Sequence, residues 1–139
     1  MFVFYLGLHA GINDGGGSMA GPLLFVTSSV LGVLVAFFFP LEAGGEIITL
    51  RGKMHLILVI GSGLLTITGM IALWSRLQFV GGWSAFATYS LVSAIVSFIL
   101  VIISGIFIKS KHRGLLERLG VTPYQLYYFV LSLMVFLNN

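Results

Sequence analysis

Charge is what this chain has least of. Only 8% of its 139 residues are Asp, Glu, Lys or Arg, where a soluble domain carries roughly 25%. With 58% of the residues hydrophobic, a water-soluble fold of this length is excluded. Small chains bury the smallest share of their surface, so the excess would form exposed apolar patches unless lipid covered them. Cysteine is absent, which excludes disulfides, thiolate metal sites and a cysteine nucleophile. The apolar opening, Met1 to Ile12, lacks a basic n-region and a small-residue cleavage pattern, so no signal peptide is expected. The apolar runs are continuous and show none of the roughly ten-residue in-out alternation of a membrane barrel.

What remains is an all-α, polytopic transmembrane helical bundle in a single domain. A bilayer core of about 30 Å needs roughly 20 apolar residues per helix, and counting on that basis gives about four spans plus a partial N-terminal helix. Residues 1 to 12 are too few to cross and run into Asn13-Asp14-Gly15-Gly16-Gly17-Ser18, a turn-forming stretch in which Asp14 belongs to an Asn-Asp-Gly turn. The opening reads as the tail of a helix. The first full span is predicted over 19–39, closed by Pro40, and the second over 54–74, with Arg76 beyond it beside Trp74 as an interfacial anchor. A third covers 83–108 and is stopped by Lys109, Lys111, His112 and Arg113. The fourth is expected over 123–137, with Thr122 as its cap, Pro123 in its first position and Gln125 closing a capping box. At about 15 residues it barely crosses a bilayer.

The basic residues fix a topology rather than a nucleic-acid face. Two lie between 40 and 53 and four between 109 and 123, with Arg76 alone on the other side. The positive-inside rule places those two loops in the cytoplasm. The basic run after the third span also attracts anionic lipid, at roughly 1 kcal/mol per basic residue.

Two sets of residues invite a functional reading. Ser28, Gly32 and Ala36 on the first span, Ser62, Thr66 and Gly69 on the second, and Ser90, Ser97 and Ser104 on the third have the spacing of helix-packing seams, because small residues let backbones approach where lipid removes the hydrophobic drive. A polar pathway through the same residues would want an ionisable group at mid-membrane, and none is present there. The second set is the polar cluster Glu42, Glu46, Arg51, Lys53 and His55. Ion pairs form easily within it, whereas general acid-base catalysis would need a shaped, partly dry pocket. His55, one turn into the second span, can donate to a loop carbonyl, pair with either carboxylate, contact lipid phosphate or ligate a metal. His9 falls on the opposite side of the membrane, so the two histidines are not expected to share a metal or haem. No catalytic residue, metal site or cofactor is assigned.

Phe38-Phe39-Pro40, the acidic residues that follow, then Thr49, Gly52 and His55, together with Gly114-Leu115-Leu116-Glu117-Arg118-Leu119, are similar to motifs of domain-of-unknown-function family 998. The likeness runs from about Gly7 to Phe136. It implies a prokaryotic-type polytopic membrane protein, usually of about six helices and without an established activity, of which this chain is a shortened or partial member. The expected role is non-enzymatic, a bundle that binds membrane lipids or a partner. That partner is a homo-oligomer or another membrane protein. The alternatives are a small oligomeric transporter or channel and, third, a membrane enzyme acting on lipid headgroups with His55 and Glu46 as base and orienter.

Overall fold

The computed structural model describes residues 7–8, 11–12, 17–40, 49–107 and 113–138, with the side chains of Arg113 and Glu117 outside that description. Four helices make up the bundle: α1 Ala20–Phe38, α2 Leu50–Leu77, α3 Ser84–Ile106 and α4 Arg113–Leu137. All four are long and apolar enough to cross a membrane, and no strand occurs among the described residues. Successive helices pack against one another, α1 on α2, α2 on α3 and α3 on α4. Before α1, Ile12 donates its backbone N–H to the Leu8 carbonyl at 3.0 Å, a helical bond. Both side chains are buried in the core.

The first three spans fall close to the apolar runs. α2 begins four residues before the predicted Met54. Thr49 caps it, its hydroxyl accepting from the Gly52 N–H at 3.1 Å, so the polar turn carrying Arg51 and Lys53 is helical and not loop. The fourth helix departs further from expectation. It starts at Arg113 and runs through Pro123 for 25 residues, ample for a bilayer. Thr122 is therefore not an N-cap. Its hydroxyl donates back to the Arg118 carbonyl at 2.9 Å, a back-bond made inside helices. Pro123 gives the Leu119 carbonyl no N–H, a loss that transmembrane helices tolerate. Thr-Pro spacing alone cannot tell this arrangement from a helix start.

Two contacts define one end of the bundle. Arg76 Nη1 donates to the Ser18 carbonyl at 3.0 Å, and a Cβ added to Gly82 would lie 3.3 Å from Asn138 Oδ1. Near this end the core is aromatic. Trp83, Phe86, Tyr89 and Tyr127 follow one another at ring-centroid distances of 5.9, 5.9 and 5.9 Å, and Phe25 joins Tyr127 at 6.0 Å and Tyr128 at 5.7 Å. The close approach of α1 to α2 needs glycine. At Gly69 a Cβ would sit 2.7 Å from the Phe25 ring, and at Gly21 it would sit 2.9 Å from Leu73 Cγ.

Candidate functional site: an apolar cleft at the His55 end

At the centre of the expected seam three hydroxyls meet. Ser28 Oγ lies 2.7 Å from Thr66 Oγ1 and 2.9 Å from Ser62 Oγ. Ser62 donates to the Ser28 carbonyl and Thr66 to the Ser62 carbonyl, both at 3.1 Å. With those two protons committed, the Ser28 proton completes the set. Hydroxyls so linked join α1 to α2 in a medium that offers no water. Ser90 is fully buried and lies 3.0 Å from the Tyr127 hydroxyl, which joins α3 to α4 in the same way.

Gly32 and Ala36 do not belong to the seam, although their spacing from Ser28 suggested it. Both are exposed, and a Cβ at Gly32 would meet nothing within 4 Å. Beyond Ser28 the helix contact passes to larger side chains. Leu31 lies against Gly61, whose added Cβ would be 3.7 Å from it, and Val35 is buried. Ser97 is fully buried but its hydroxyl has no hydrogen-bond partner among the described residues, and Ser104 is half-buried.

Of the polar cluster, Glu42 and Glu46 lie outside the described residues, as do His9, Asp14, Lys109, Lys111 and His112. Arg51 and Lys53 are exposed on the first turn of α2. His55 has turned inward and back: its Nδ1 is 2.7 Å from the Phe39 carbonyl oxygen. A carbonyl only accepts, so Nδ1 carries the proton. This bond satisfies a C-terminal carbonyl at the end of α1. His55 thus ties the start of α2 to the end of α1.

The same imidazole lines a partly open cleft of about 150 Å3 between α2, α3 and α4. Leu56, Val59, Ile60 and Val101 supply most of its wall, and Gly105 and Gly120 leave the room, while Gly63 faces the Tyr124 hydroxyl, 3.3 Å from where its Cβ would be. Ser104 and Tyr124 add hydroxyls. The Tyr124 hydroxyl is buried and, among the described residues, has no hydrogen-bond partner. A shallow groove beside the cleft shares Val121 with it and carries Arg118, Thr122 and Gln125. The sequence offered no signal for Tyr124, Gly105 or Gly120, because glycine and tyrosine in an apolar helix also read as ordinary packing. No group of three or more His, Asp or Glu side chains able to hold a metal occurs among the described residues.

Fold and site together define an α-helical integral membrane bundle with an apolar cleft at one end. No family model, curated protein or solved structure matches the chain, so the likeness to domain-of-unknown-function family 998 stands on its short motifs alone.

Proposed function

We propose that this is a non-enzymatic multi-pass protein of a prokaryotic-type plasma membrane that binds membrane lipid, with its His55 end facing the cytoplasm. The observation that carries this reading is the cleft. It is open to the bundle's surroundings, walled by aliphatic side chains and polar only at His55, Ser104 and Tyr124. Apolar pockets with a few placed polar groups are the usual form of a ligand site. In a membrane the ligand at hand is lipid. Six of seven basic residues lie in the segments 40–53 and 109–123, the side that the positive-inside rule puts in the cytoplasm.

Native mass spectrometry of the full chain, released from detergent, tests the reading. The expected spectrum shows phospholipid retained on the protein. Lipid-free protein at every activation energy, with no thermal stabilisation by added phospholipid, would overturn it.

A second reading, solute passage, is favoured by Ser97, whose hydroxyl is fully buried and without a partner among the described residues. Liposome flux that survives Ser97→Phe would remove it. The headgroup-enzyme reading predicts that His55→Ala abolishes lipid turnover. The engagement of Nδ1 with Phe39 supports a structural role for the imidazole instead.

A further inference from the structure

We infer that the cleft and the groove beside it form a single site for an anionic phospholipid: one acyl chain enters the cleft, an ester carbonyl accepts from Tyr124, and the phosphate pairs with Arg118. The inference rests on the lipid-binding reading and names its ligand.

Three observations order the parts along α4. Arg118, Val121, Thr122 and Gln125 line the groove, and their spacing of three, four and seven puts them on one helix face. Val121 also lines the cleft, with Gly120 and Tyr124 on the adjoining face. Groove and cleft therefore adjoin at Val121. Arg118 precedes Tyr124 on a helix that starts at the His55 end, so the cation lies nearer the membrane surface. The axial separation is about 9 Å at 1.5 Å per residue, a distance the arginine side chain and a glycerol linkage cover together. The order from the surface inward is cation, hydroxyl and apolar cleft, which is the order of phosphate, ester and tail.

The Tyr124 hydroxyl supplies the independent pointer. Tyr124 lines the cleft, and its hydroxyl is buried and lacks a partner among the described residues. A polar group left unsatisfied in hydrocarbon is costly, and an ester carbonyl drawn into the cleft relieves that cost. The volume of about 150 Å3 suits a segment of one chain, since an apolar cavity of about that size holds a benzene-sized guest. Chain burial confers little preference, because a tail is equally apolar in the bilayer. Retention and selectivity then rest on the two polar contacts, and Lys53, exposed on α2 at the same end, adds to the attraction for a negative headgroup.

The test uses the full chain in detergent, titrated with phosphatidylglycerol and phosphatidylcholine and read by native mass spectrometry, with melting curves for each variant. Phosphatidylglycerol should be retained about fivefold over phosphatidylcholine. Arg118→Gln should erase that preference. Tyr124→Phe should weaken both lipids by about fivefold. Gly105→Leu, where a Cβ meets nothing within 4 Å among the described residues, should fill the cleft, keep the ester from reaching Tyr124 and weaken both lipids about as much as Tyr124→Phe, with the melting temperature unchanged. Should that variant melt early, Tyr124→Phe and Arg118→Gln decide alone. Millimolar inorganic phosphate should leave lipid retention unchanged, and displacement by it would overturn the phospholipid assignment. Equal retention of both lipids by the parent chain would overturn the assignment too. So would lipid binding untouched by all three substitutions, or a dimer that Gly105→Leu dissociates. In those cases lipid binding elsewhere on the bundle can still stand. A parent chain that retains no lipid at all removes both readings.

Discussion

The two ends of the bundle use glycine in opposite ways. Toward the Arg76 end each close-approach glycine faces a large side chain: Gly69 receives the Phe25 ring and Gly21 receives Leu73. Knob and hole match, and Phe25, Met70, Leu73, Leu77, Tyr127 and Leu131 are fully buried. Toward the His55 end a Cβ on Gly105 would meet nothing within 4 Å among the described residues, and Gly120 has Ser104 Oγ 3.8 Å from its would-be Cβ. Holes without knobs leave a cleft. Small residues in a membrane helix therefore do not by themselves signify tight packing; their partner decides.

Three substitutions would break or sharpen this contrast. Gly69→Val drives a Cβ to within 2.7 Å of Phe25 and should destabilise the bundle by about 2 to 3 kcal/mol, the range of overpacked cores. Steric-trap or thermal unfolding in detergent would show it, and an unchanged midpoint would mean the aromatic end yields more readily than its packing implies. Ser28→Ala removes the hydroxyl shared by Ser62 and Thr66 and should cost about 1 kcal/mol, near the middle of measured membrane hydrogen bonds. A double-mutant cycle with Thr66→Val would isolate the coupling. Gly105→Leu at the opposite end should change stability by less than about 0.5 kcal/mol. A loss as large as that of Gly69→Val would mean that the cleft is closed in the membrane.

Hydropathy made the spans countable, because a lipid-facing helix is apolar all round and length alone then locates it. That worked best for α1, expected over 19–39 and found over Ala20–Phe38. It failed for α4, whose first turns carry Arg113, Glu117 and Arg118 and so fall below an apolar count although they are helical. The hydroxyl seam was legible at Ser28, Ser62 and Thr66, since polar atoms in hydrocarbon must find one another. Gly32 and Ala36 were misassigned for a related reason: a small residue carries no atom that demands a partner. Tyr124 stayed hidden because a tyrosine's orphaned hydroxyl is a property of its neighbours. His55 was found as a residue, and the Phe39 carbonyl was only one of the partners open to it.

The bond between His55 and Phe39 bears on how the intervening chain can evolve. Fifteen residues separate them, yet the two ends are held by an imidazole and a carbonyl 2.7 Å apart, reinforced by the packing of α1 on α2. Lengthening a closed loop costs only about 0.6 kcal/mol per doubling. Of those fifteen, Thr49 to Met54 already belong to the cap and first turn of α2, so an inserted tag or reporter domain that leaves both helices in place belongs before Thr49.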